Sequence, residues 1–277
     1  MYQELDVDRY RYRGPSALYS ATELPRVLLE MTSLAYVWPW LGAAHRGDGH
    51  RVLVLPGFTA GDESTVILRR FLARLGYLSL PWSLGQNTGS FDVQERLIES
   101  FVTLTEQCDD KVSIVGQSLG GVYARELARQ FPDRVRQVVS LGTPMSSSGP
   151  DSTNAIVSRL FQYVSGMDRD QMRDQILEFA AAAPPVPSTA IYSRADGVVH
   201  WSACLEYEAE ESENVEVLGS HTGMALNPLV LYVLADRLAQ PEGGWRPFER
   251  GRGCRALLYP EPAPRRPLCK EARACAN

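Results

Sequence analysis

Short runs of apolar residues alternate along the chain with longer stretches whose apolar positions recur at helical spacing. The short runs span Arg51 to Leu55, Tyr77 to Leu80, Val112 to Val115, Gln137 to Leu141, Ser188 to Ser193 and Asn214 to Leu218, and most are rich in the Val, Ile, Leu and Tyr residues that suit pleated backbone. Near-continuous apolarity is expected of strands covered on both faces. The helical stretches are Glu63 to Leu75, Phe91 to Cys108, Leu119 to Phe131 and Pro228 to Leu238, with Gly76 and Pro132 as stop signals for two of them. This alternation predicts an α/β protein, a mostly parallel sheet with helices on both faces.

Three intervals break the rhythm. Val27 to Ala44 has about the length of a membrane span, but Glu30, Thr32, Ser33 and Pro39 interrupt it. It reads as an amphipathic helix packed on the core, in an N-terminal extension over residues 1–50, and Trp38 and Trp40 suit a weak membrane or lipid-interface contact. Thr143 to Pro187 is much longer than one crossover needs. Phe161, Tyr163, Val164, Met167, Met172, Ile176, Leu177 and Phe179 give it two short apolar helices, so an insertion at about 144–187 is expected as a small cap over the strand ends, with Phe161 and Met172 as substrate contacts. From Phe248 onward prolines, glycines and arginines replace any periodicity, so 1–247 is expected as one domain and 248–277 as a poorly ordered tail.

Composition narrows the partners. With 277 residues, 22% charged positions and a net charge of −5, the chain lacks the basic surface that nucleic acid requires. Glu4, Asp6 and Asp8 stand where a signal peptide would be basic and then apolar, which leads to the expectation of a cytoplasmic protein. Of five cysteines, Cys254, Cys269 and Cys275 crowd the end, too widely spaced for a metal site. No His-Glu-x-x-His motif occurs either, so neither metal nor organic cofactor is expected.

The chemistry begins at Gly116-Gln117-Ser118-Leu119-Gly120, between a predicted strand and a predicted helix. That is the setting of a nucleophile elbow, where a serine occupies a strained turn and flanking glycines let strand and helix pass closely. A dinucleotide loop would need a different glycine spacing, and a P-loop would need Lys-Ser or Lys-Thr after the last glycine. A serine hydroxyl needs a base. Of four histidines, His45 and His50 precede the first good strand and His200 follows the fifth run too closely, whereas His221 lies in a loop past the last strand. Asp196, just after the fifth run, supplies the carboxylate that would orient it, with Asp151 as a weaker substitute. The backbone N–H of Leu119 and one from Leu55-Pro56-Gly57-Phe58-Thr59, either Phe58 or Thr59, would hold an oxyanion.

These pieces together resemble a bacterial α/β-hydrolase of the serine lipase and carboxylesterase type. The resemblance runs from about Val52 to Phe248 and rests on Leu-Pro-Gly-Phe at 55–58, Gly-Gln-Ser-Leu-Gly-Gly at 116–121, Leu-Gly-Thr-Pro at 141–144, Tyr-Ser-Arg-Ala-Asp-Gly-Val-Val at 192–199 and Ser-His at 220–221. It implies Ser118 as nucleophile, His221 as base, Asp196 as acid, and Phe58 and Leu119 at the oxyanion hole. Pro56 departs from the histidine that commonly precedes the oxyanion glycine in this family. The expected substrate is a small-molecule ester with a hydrophobic acyl group, which Phe58, Phe161 and Met172 would contact. A serine acyltransferase or thioesterase on the same fold, and a non-catalytic binding protein, are the alternatives.

Overall fold

A computed structural model of the chain describes residues 14–42, 44–108, 110–146, 152–168, 170–172, 174, 182–251 and 254–267. Six strands, β1 (Arg51–Leu55), β2 (Leu78–Leu80), β3 (Val112–Gln117), β4 (Val135–Leu141), β5 (Ser188–Tyr192) and β6 (Ser212–Glu216), form one sheet in the order β2-β1-β3-β4-β5-β6. Every neighbouring pair is parallel. The order reverses between β1 and β3, so the loops that follow these two strands diverge and leave a crevice at their carboxyl ends.

Side-chain alternation splits the core into two layers. Val52 and Val54 of β1, with Val115, Val139 and Ile191, face one layer; Leu53 and Leu55, with Ile114 and Val138, face the other. The first layer is covered by α2 (Glu23–Leu41), α3 (Val66–Leu75) and α7 (Pro228–Leu238), the second by α4 (Phe91–Glu106) and α5 (Leu119–Gln130). The four helices predicted between the strands are present, Ile176, Leu177 and Phe179 of the insertion lie outside the described residues, and Gly76 ends α3 in the left-handed conformation, with φ of 103°. A short α1 (Ala17–Ala21) precedes α2.

Helix α2 forms over most of the stretch expected to be amphipathic and begins four residues earlier. Pro39 lies within its last turn, so the helix forfeits one backbone bond, to the Ala35 carbonyl, and still continues to Leu41. Its N-terminal half is also inverted: Glu23 and Glu30 are buried, while Leu24, Leu28 and Leu29 are exposed. Trp38 packs on Phe71 of α3 at 6.2 Å between ring centroids, whereas Trp40 is exposed and pairs with Tyr36. Among the described residues no helix is long and apolar enough to cross a membrane.

Within the insertion, α6 (Ala155–Ser165) lays Phe161 against the second core layer, and Met167 and Met172 join it. Thr153 bridges to Val199, which ties the insertion to the loop after β5. Over the described residues to Pro267, the segment expected as a tail makes contacts with the domain. Phe248 and Tyr259 pack edge to face at 5.0 Å and belong to the first core layer. A short α8 (Cys254–Leu258) separates them. Beyond it Ala263 N–H donates to Tyr192 Oη at 2.7 Å, Asn214 Nδ2 donates to the Ala263 carbonyl at 3.0 Å, and Arg266 N–H donates to the Glu206 carbonyl at 2.7 Å. The segment thus covers the free edge of β6, the exposed ladder that sheet proteins ordinarily protect. Two isolated aromatic residues anchor it, too few to show periodicity. Cys269 and Cys275 lie outside the described residues.

Candidate active site

Ser118 sits between β3 and α5 with φ of 51° and ψ of −120°, a conformation that non-glycine residues rarely adopt. The turn is held where it is by close approach. A Cβ on Gly120 would lie 2.5 Å from the Leu55 carbonyl oxygen and 2.6 Å from that of Pro56, and a Cβ on Gly116 would run into the backbone of Gly120 and Gly121. Only glycine lets α5 cross β1 and β3 at this distance. The Ser118 N–H donates to the Leu141 carbonyl at the end of β4 (2.8 Å), which fixes the strained residue to the neighbouring strand. Backbone strain kept in this way is typical of functional turns.

Gly57 passes directly alongside, since a Cβ there would meet Ser118 Cβ at 3.4 Å. This brings the loop after β1 to Ser118, where its two candidate donors differ in their partners. Thr59, itself at φ of 61°, gives its N–H to the Asn87 carbonyl at 2.7 Å. The N–H of Phe58 has no acceptor among the described residues. Leu119 opens α5, and the first N–H groups of a helix lack intrahelical partners and carry its positive dipole end. Phe58 and Leu119 are therefore the backbone donors free to meet an oxyanion beside Ser118.

Asp196 and His221, expected as acid and base, come from the loops after β5 and β6. Asp196 Oδ2 and His221 Nδ1 are 2.6 Å apart, and both side chains are buried. The second oxygen of Asp196 accepts from the N–H groups of Val198 (2.8 Å) and Val199 (2.7 Å), so the same residue makes the turn at Gly197 and fixes the imidazole. Burial pulls the His221 pKa down, but the Asp196 carboxylate and then Glu23 pull it up more strongly, and the net shift is upward from 6.5. Gln117, adjacent to Ser118, donates through Nε2 to the His221 carbonyl at 3.1 Å and brings the base loop to the elbow. Ser118 Oγ makes no hydrogen bond among the described residues.

An apolar cavity opens at Ser118, walled by Phe58 and Leu119 on one side, Val157, Phe161 and Met172 on the insertion side, and Val198 and Val199 from the acid loop. Phe58 and Phe161 rings lie 5.0 Å apart. The other histidines are elsewhere: His50 contacts Asp48 and Ser113 Oγ, and His200 caps the short helical turn at Trp201–Cys204. Asp151 lies outside the described residues. No cluster of His, Cys, Asp and Glu able to hold a metal occurs among the described residues.

Sequence reasoning missed the support beneath the acid and base loops. Glu23, Arg26 and Glu30, one charged stripe on α2, reach both loops. The signal was their i, i+3, i+7 spacing on an otherwise apolar helix, a stripe that must face something polar.

This sheet, elbow and loop arrangement defines an α/β hydrolase. The chain belongs to the alpha/beta hydrolase fold family, whose model matches residues 36–175. No curated protein matches it. Among solved structures it is similar to one described with the metagenome-derived lipolytic enzymes LipS and LipT, at 18% identity and a TM-score of 0.51 over 70% of this chain and 93% of that one. A monoacylglycerol lipase of Paleococcus ferrophilus matches at 14% identity and TM-score 0.51 over 70% and 96%, and lipase B of Aspergillus fumigatus at 15% and 0.54 over 76% and 56%. At these identities the likeness is one of fold.

Proposed function

We propose that the chain is a serine hydrolase of carboxylic esters with an apolar acyl group. The observation that carries this reading is the buried Asp196–His221 pair at 2.6 Å, tied through Gln117 to a strained serine that lines an apolar cavity. In this reading His221 Nε2 takes the Ser118 proton as Oγ attacks the ester carbonyl, while Asp196 holds the Nδ1–H tautomer and stabilises the imidazolium. The negative oxygen of the tetrahedral intermediate is met by the N–H groups of Phe58 and Leu119. Collapse breaks the bond to the alcohol, which leaves with the proton from His221 and an acyl group on Ser118. A water then gives its proton to His221 and attacks the acyl carbonyl, and collapse of that intermediate returns the proton to Ser118 as the acid departs.

The cavity walls favour an apolar acyl chain, because Val157, Phe161 and Met172 offer no partner to a charged one. The test is a panel of p-nitrophenyl esters of graded chain length. Ser118→Ala should keep its fold and lose about 10⁶-fold in kcat, since triad members act as a unit. Ester turnover that survives this substitution would refute the assignment.

A further inference from the structure

The loops that would carry acid and base leave the sheet at β5 and β6, so their N–H and C=O groups have no ladder partners and must be satisfied in another way. Helix α2 supplies the partners. Glu23 Oε1 accepts from Gly197 N–H at 2.8 Å, next to Asp196, and from His221 N–H at 3.1 Å, while Oε2 accepts from Thr222 N–H at 3.2 Å. Arg26 steadies Glu23 at 2.8 Å and donates from Nη1 to the Ala195 carbonyl (2.6 Å) and the Gly219 carbonyl (3.1 Å). Glu30 accepts from Ser220 N–H at 2.5 Å and from Ser220 Oγ at 2.6 Å. Gly223 closes against this carboxylate so tightly that a Cβ there would collide with it.

Resting on the hydrolase reading above, we infer that Glu23 is a positioning residue: its single buried carboxylate spans the acid and base loops and sets the distance between Asp196 and His221. Arg26 ties the same two loops through Ala195 and Gly219, and Glu30 holds the His221 loop at Ser220. Carboxylates are suited to this because one group accepts several N–H bonds at once and strengthens each by its charge. Burial raises the pKa of Glu30 against the lowering effect of its Ser220 bonds.

The charged groups near the imidazole are thus Asp196 on its own side of the site and Glu23 on α2, with Arg26 and Glu30 bonded to flanking residues. Glu23→Gln removes the charge and turns one acceptor into a donor. It should lower kcat by about 10- to 100-fold, the effect of a displacement of about an ångström, with KM within about twofold. The acid limb of the kcat/KM profile, and the His221 imidazole titration followed by NMR, should both move to lower pH. Glu23→Asp keeps the charge but shortens the reach, so kcat should fall while the acid limb stays.

A folded Glu23→Gln protein with the parent's kcat and acid limb would overturn the inference. Failure of both variants to fold would also overturn it, by assigning Glu23 to stability. If ester turnover survives Ser118→Ala, the hydrolase reading fails; if Ser118→Ala abolishes turnover and Glu23→Gln matches the parent, only the inference fails.

Discussion

The two halves of the site are held by different means. Around Ser118 the contacts that fix the turn are largely backbone and close to it in the sheet: the glycines of the turn, the carbonyls of Leu55 and Pro56, and the end of β4. On the acid and base side the geometry depends on side chains from α2, with Glu23 standing 174 residues before Gly197 and 198 before His221. The first half is a steric fit that tolerates no added atom. The second is a set of charge-assisted hydrogen bonds, which hold a loop without a ladder but respond to any change of charge or reach.

The largest effect expected from separating these halves is on turnover without loss of fold. Asp196→Asn can still accept from the N–H groups of Val198 and Val199 through its remaining oxygen, so the turn should survive. Its amide can donate to Nδ1 and hold the wrong tautomer, and kcat should fall about 10⁴-fold near neutral pH with KM little changed. The pH profile carries a sign. His221 must be neutral to take a proton, and its pKa lies above 6.5 because Asp196 and Glu23 outweigh burial, so activity should rise with pH through a midpoint above that value. Without the Asp196 charge, burial dominates and the acid limb should move to lower pH. A limb that stays in place in the variant would belong to another group.

The matching experiment on the nucleophile half is Gly120→Ala. Its methyl would meet two backbone oxygens, which cannot move aside as a side chain would. Overpacking of this kind costs about 1–3 kcal/mol and sometimes more, which corresponds to a drop of about 2–12 °C in the thermal midpoint for a domain of this size. Activity should fall with it, since the oxyanion donors flank the displaced contact. A parent-like melting temperature would show that α5 has room to shift, and the contrast between a rigid half and a responsive one would be lost.

What the sequence disclosed follows the same division. The six strands, the helices that cover them and the elbow were legible because each rests on a local pattern: apolar runs, helical spacing, or glycines at fixed offsets from Ser118. Asp196 and His221 were singled out by their places after β5 and β6, and the structure brings the two side chains together. The contribution of α2 was not, because nothing near Gly197 or Ser220 indicates that their partners lie near the start of the chain. The edge cover from Phe248 to Pro267 was hidden for a related reason: Phe248 and Tyr259 act singly, and single anchors leave no period. The choice between Phe58 and Thr59 also needed three dimensions, since it turned on the Asn87 carbonyl that occupies the Thr59 N–H.

The smallest effect concerns the wall that the two halves share. Phe161 faces the cavity from the insertion, with Leu119 of the elbow and Val198 and Val199 of the loop after β5 among its other walls, so in the proposed function it would touch the acyl group without belonging to either half. Its ring also lies against Phe58 at 5.0 Å and leaves no room for a side chain at Gly89. Removing the ring in Phe161→Ala should enlarge the acyl site and change the ratio of kcat/KM for long and short esters by about 10- to 100-fold in favour of the longer ones, the size of effect that a pocket contact supplies. The acid limb should not move, because Phe161 does not contact the imidazole. Equal loss on every ester would instead mean that the ring acts through Phe58 on the oxyanion donor, which would place Phe161 with the nucleophile half. A shifted acid limb would connect it to the loop that carries His221.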